Sequence, residues 1–195
     1  GALAGLALVT AACGSDDNKD STTDTTAAGK DKDASGDLAV AKLAASLEAL
    51  AVDTYTKALS AATSGALGAV PPAVATFVTT AKGQHEEHLA AWNKVIKGAG
   101  EPEVTEPNAT LAPVVAQKLG AAKTIGDAAV LALLLEQIAA QTYLSAIPTL
   151  KSKDAVKQAA QIQIVDQQHQ AVLLFALGKY PVPEVFQKTD MAAKS

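Results

Sequence analysis

Apolar residues return at three- and four-residue spacing in four stretches of the chain, with turn-forming residues between them. The first stretch, L-A-V-A-K-L-A-A-S-L-E-A-L-A-V-D-T-Y-T-K-A-L, predicts a helix capped by Asp37 and running to about Ala62. T-S-G-A-L-G-A-V then turns the chain, and Pro71 and Pro72, tolerated in a first helical turn, open a second helix that reaches about Lys97 and stops at Gly98. A third helix is predicted after Asp127, ending near Pro148 to Leu150. The turn K-S-K-D, with Asp154 as cap, starts a fourth that ends at Gly178. Between the second and third helices, E-P-E-V-T-E-P-N is polar and proline-punctuated, and L-A-P-V-V-A-Q-K-L-G-A-A-K has room for a short helix. The sequon Asn108-Ala109-Thr110 is read as loop polarity only. The order is hairpin, long crossover, hairpin: an all-α, antiparallel four-helix bundle with one long crossover between helices 2 and 3.

The two hairpins open on related sequences. S-L-E-A-L-A-V-D-T-Y-T-K-A-L begins at Ser46 and L-L-E-Q-I-A-A-Q-T-Y-L-S-A-I at Leu134, so that Glu48 matches Glu136 and Tyr55 matches Tyr143. A carboxylate thus recurs in an apolar helical stripe, where an uncompensated buried charge costs several kcal/mol. The second and fourth helices offer compensation. His85 and His88 are three apart, as are Asp166 and His169, so each pair shares one helix face. Val78, Ala81, Trp92 and Val95 lie on the same face as the histidine pair. Ile162, Val165, Leu173 and Ala176 accompany the other pair, so both point inward and Trp92 is assigned to core packing. Glu86 falls on the polar side near Lys82, whereas Glu87 lies at the edge of the inward face and is a reserve ligand. Counting residues to each turn puts the glutamates and the two pairs at nearly one level of the bundle.

Composition sharpens this picture. Hydrophobic residues make up 49% of the 195 positions but aromatics only 4%, which suits helices packed through small side chains and one domain. There is no arginine, and the formal net charge of -4 offers no basic field, so nucleic acid is excluded as a partner. The acidity is local: residues 14–37 hold seven Asp against three Lys, and the rest of the chain is balanced.

Cys13 is the only cysteine, so neither an internal disulfide nor a thiolate zinc cluster can form. It follows G-A-L-A-G-L-A-L-V-T-A-A, apolar and too short to span a bilayer. The sequence begins at Gly1 without Met or a charged leader, and an upstream start is expected. T-A-A-C-G-S resembles a bacterial lipobox, which implies export, lipid attachment at Cys13 and residence at the outer face of the cytoplasmic membrane or an equivalent envelope membrane. The alternative is an apolar terminus with an unused thiol. Four segments follow: 1–13 as export signal and lipobox, 14–36 as a disordered acidic tether, 37–178 as the bundle and 179–195 as an extended tail.

With the paired motifs in view, the stretch from about residue 37 to 178 resembles the ferritin-like di-metal carboxylate family, in which two helices each give a Glu and the other two each give Glu-x-x-His. The resemblance implies that Glu48 and Glu136 are the single glutamates, that His88 and His169 are the histidines, and that Asp166 stands where a bridging Glu is expected. His85 departs from the pattern, replacing a carboxylate by an imidazole. It implies one or two transition-metal ions on Glu48, His85, His88, Glu136, Asp166 and His169. Oxygen ligands favour Fe or Mn, and imidazole also suits Zn or Cu. Tyr55 and Tyr143, two turns beyond the glutamates, are partners to the ligands or redox-active phenols on this view, and core-filling tyrosines on the plainer one. An oxidoreductase of the ferroxidase or peroxide-consuming type is one expectation. The other is a non-catalytic structural or interaction lipoprotein whose six residues form a metal-free polar network. A cage-forming iron store fits poorly with an anchor and tether on every subunit, while a homodimer is allowed.

Overall fold

A computed structural model describes residues 27–194, with side chains placed from residue 35. The described residues form helices α1 (Ala27–Thr63), α2 (Pro72–Gly98), α3 (Ala112–Ala121), α4 (Ile125–Ala146) and α5 (Lys153–Ala176), with a 3-10 turn at Ile147–Thr149. α1 packs along α2 and α4 along α5, and the two hairpins meet chiefly through α1 and α4. The all-α bundle of two hairpins and a long crossover is therefore the observed architecture. Cys13, the apolar stretch before it and most of the acidic segment lie outside the described residues.

Several expected boundaries move. α1 begins ten residues before Asp37, so residues 27–36 are helical rather than disordered. Asp37 does not cap its own helix. Its carboxylate instead accepts the backbone N–H groups of Lys151 (2.9 Å) and Ser152 (2.7 Å), joining the two hairpins. α4 starts before Asp127 because Thr124 is its cap: Thr124 and Asp127 satisfy each other's backbone N–H groups in a capping box. α5 is capped by Ser152, whose hydroxyl accepts from Ala155 N, and Asp154 sits in the first turn. The turn between α1 and α2 needs Gly65 and Gly68, both in the left-handed region at φ 78° and 79°.

The crossover is held to the bundle all along its length. Lys42 pairs with Glu101 at 2.9 Å, Asn93 exchanges two hydrogen bonds with the backbone of Val104, and Asn108 bonds the backbone and hydroxyl of Ser46. α3 then lays Val115 against Leu50, Leu131 and Leu135. α4 is thus covered by α1, α3 and α5, which explains a helix apolar on most sides. The chain's end is not simply extended: Met191 N and Ala193 N donate to Gln141 and Thr142, bringing the tail back to α4.

Below the middle of the bundle, Ala41, Ala44, Ala45, Trp92, Ile96, Ala159 and Ile162 form the main core. Above it, Ala51, Tyr55 and Ala81 pack with Phe77, and Leu133, Leu173 and Leu174 with Leu177. The polar residues lie between these layers.

Candidate metal centre

Four helices bring one residue or pair each to the same level, because inward positions of antiparallel helices meet at equal distance from their turns. Glu48 on α1, His85 on α2, Glu136 on α4, and Asp166 and His169 on α5 are all buried. His88, three residues beyond His85 on α2, keeps 14% of its side chain exposed. All six expected residues converge.

His85 is the hub. Its Nδ1 donates to Glu48 Oε2 at 2.7 Å and its Nε2 to Glu136 Oε1 at 3.1 Å, so one imidazole spans the carboxylates of both hairpins. Burial disfavours a charged ring, but the charges and hydrogen bonds of Glu136 and Glu48 prevail and hold its pKa well above the ordinary 6.5. Burial likewise opposes ionisation of Glu48, yet its hydrogen bond to His85 and the nearness of His88 bring its pKa down to about 2, and Glu136 is lowered in the same way by His85 and His169. His88 Nδ1 stands 3.6 Å from Glu48 Oε2, beyond hydrogen-bond reach.

The tyrosines are exchanged between hairpins. Tyr55 on α1 donates to Glu136 Oε1 at 2.6 Å, and Tyr143 on α4 donates to Glu48 Oε1 at 2.5 Å, so each phenol serves the glutamate of the other repeat. Trp92 is fully buried in the core, as expected. Its indole N–H also donates to Tyr143 at 2.8 Å, a role the apolar pattern around it does not signal. Burial and the neighbouring carboxylates raise both phenol pKa values well above 10.

Asp166 is the exception. It is 0% exposed, and neither carboxylate oxygen has a hydrogen-bond partner. Burial, with the nearby charges of Glu48 and Glu136, raises its pKa well above the carboxylate range. An ionised Asp166 would cost several kcal/mol in this place unless a cation joined it. His169 makes the same demand from another side. Its Nε2 donates to Gln84 Oε1 at 2.7 Å, which turns Nδ1 inward to within 3.2 Å of Glu136 Oε2. A proton or a metal ion must separate that nitrogen from the carboxylate.

Ligand atoms of His85, Glu136, Asp166 and His169 lie within 4.8 Å of one another, and so do those of Glu48, His85 and His88. The donor set fits metal ions: imidazoles and carboxylates, compactly placed, with buried acceptor atoms otherwise unsatisfied. His85 belongs to both groups. Glu86 pairs with Lys82 on the outer surface, as its place on the helix predicts, and Glu87 remains outside the cluster, exposed at its edge.

A family model described as ferritin-like domain matches residues 36–179. The chain belongs to the ferritin-like domain family. Its topology of two hairpins joined by a long crossover is that of a ferritin-like bundle. No curated protein and no solved structure matches the chain. Gln84 and the crossed tyrosine bonds were missed by sequence reasoning: Gln84 lies off the inward stripe, and helical periodicity places a residue on a face without naming its partner across the bundle.

Proposed function

We propose that this ferritin-like domain binds one or two transition-metal ions, Fe or Mn in preference to Zn or Cu, at the level of His85. The observation that carries the reading is Asp166, a buried carboxylate without a hydrogen-bond donor among imidazoles and carboxylates. Glu136, Asp166 and His169 would hold one ion and Glu48 and His88 the other, with His85 available to either group. A bound Fe or Mn would supply one-electron chemistry toward oxygen or peroxide. The chain's own part is positional: Tyr143 and Tyr55 each restrain one oxygen of a glutamate, Gln84 orients His169, and the apolar layers on both sides limit water.

The same reading places the protein in the cell envelope, tethered by lipid at Cys13, on the strength of T-A-A-C-G-S and the apolar segment before it. Exposed Ile164, Val172 and Phe175 share one face of α5 and support a homodimer as its assembly. An oxidoreductase of ferroxidase or peroxide-consuming type is the activity such a site would serve.

A second reading also has an observation behind it. His85, charged and bonded to both glutamates, neutralises part of the cluster without metal, and a protonated Asp166 would complete a structural polar core. Metal content of protein purified without added metal, beside that of a Glu48→Ala/His169→Ala double variant, separates the two. Bound metal in the parent and its loss in the variant are expected. Equal, near-zero metal in both would leave the polar core as the answer.

A further inference from the structure

The two sides of the cluster are unlike. Behind α1 and α4 the crossover closes the bundle: Leu111, with Leu47, Leu50 and Leu135, leaves a void of about 10 Å³, room for about one water. On the opposite side α2 and α5 stand apart, and a groove of about 430 Å³ opens between them. Glu87, His88 and Ala91 form its α2 wall, and Asp154, Gln158 and Gln161 its α5 wall.

His88 belongs to both places. Its ring lines the groove and keeps 14% exposure, while its buried Nδ1 lacks a hydrogen-bond partner and stands 3.6 Å from Glu48. The side chains of the other five cluster residues are 6% exposed or less. Outside His88 the walls carry two exposed carboxylates, Glu87 and Asp154, two amides, and one lysine, Lys157, beside Asp154. An anion would meet net negative charge there. A hydrated cation finds carboxylate and amide oxygens first, an imidazole next, and the buried carboxylates last, a graded exchange of water for protein ligands.

We propose that the groove between α2 and α5 is the loading port of the metal centre, where Glu87 and Asp154 capture divalent cations and His88 admits them. The proposal rests on the metal-binding reading given above. Cobalt(II) is a suitable probe, since its visible absorption reports ligation, and stopped-flow mixing with the full chain gives the uptake rate. Glu87→Gln/Asp154→Asn removes the capture charges, and Gln161→Trp, at an exposed position, narrows the groove. The first should slow uptake about 3- to 10-fold at low ionic strength, with the difference shrinking as salt is added. The second should slow it at every ionic strength. Both should retain the parent's cobalt stoichiometry, final spectrum and thermal melting. If either variant fails to fold, the other decides. Rates equal to the parent's in the folded variants would overturn the port, whereas a parent chain that takes up no cobalt would overturn the metal reading and the port with it.

Discussion

Tyr143 holds two partners with one oxygen: it donates to Glu48 and accepts from Trp92, all three groups being buried. Tyr55 has a single recorded bond, to Glu136. Removing a hydroxyl from a buried network costs about 1–3 kcal/mol per group left unsatisfied. Tyr143→Phe strands a carboxylate oxygen and an indole N–H, while Tyr55→Phe removes one of two donors from Glu136 Oε1, which His85 Nε2 still reaches. Urea denaturation of the metal-free protein should show Tyr143→Phe to be the more destabilising by about 1 kcal/mol. Equal losses would mean that neither the Trp92 bond nor the bond to Glu48 Oε1 adds to stability.

At the scale of elements, the hairpins are joined at their shared end by Asp37, whose two bonds reach the cap of α5. Asp37→Ala should cost about 1 kcal/mol, in the range of a lost helix cap, and a lowered thermal midpoint with unchanged helix content would be its signature. The same residue marks where sequence reasoning stops. Acid before an apolar periodic run signals a helix start, but it cannot tell which helix start, and Asp37 sits inside α1 while serving α5. Thr124 was overlooked for a related reason: Asp127 has the chemistry of a cap, yet its partner three residues earlier is the cap itself. By contrast, the four helices, the crossover and the six convergent residues were legible, because a spacing of three or four fixes a face and turns fix the level. What periodicity does not carry is contact between helices, hence the silence about Gln84 and about which tyrosine meets which glutamate.

For the molecule as a whole, the cluster sets how stability, and the metal affinity proposed above, vary with pH. Glu48 is held at about 2 against an ordinary 4.5, so its contribution is complete above 4.5 and disappears as pH falls toward 2. Asp166 works in the opposite sense. With its folded pKa raised above 3.8, the unfolded chain releases that proton first, and stability falls as pH climbs past 3.8. The contribution of His85, whose pKa is raised, is complete below 6.5 and is lost as pH rises toward its folded value. The metal-free protein should therefore be most stable at mildly acidic pH and lose up to about 1.4 kcal/mol per pH unit for each proton held. Metal ions must displace those protons, so affinity should rise with pH, up to about tenfold per unit for one proton. Titrations with cobalt(II) at several pH values check the sign; an affinity indifferent to pH would show that Asp166 and His85 do not release protons to the ligand.

Trp92 is the chain's one tryptophan. Its ring lies nearly parallel to Tyr143, 13° off with centroids 6.1 Å apart, and two hydrogen bonds in series link its indole to the carboxylate of Glu48. The protein consequently carries a single tryptophan fluorophore, linked by hydrogen bonds to the cluster. Its emission is a label-free optical channel through which events at Glu48 can be followed without altering any of the six clustered residues.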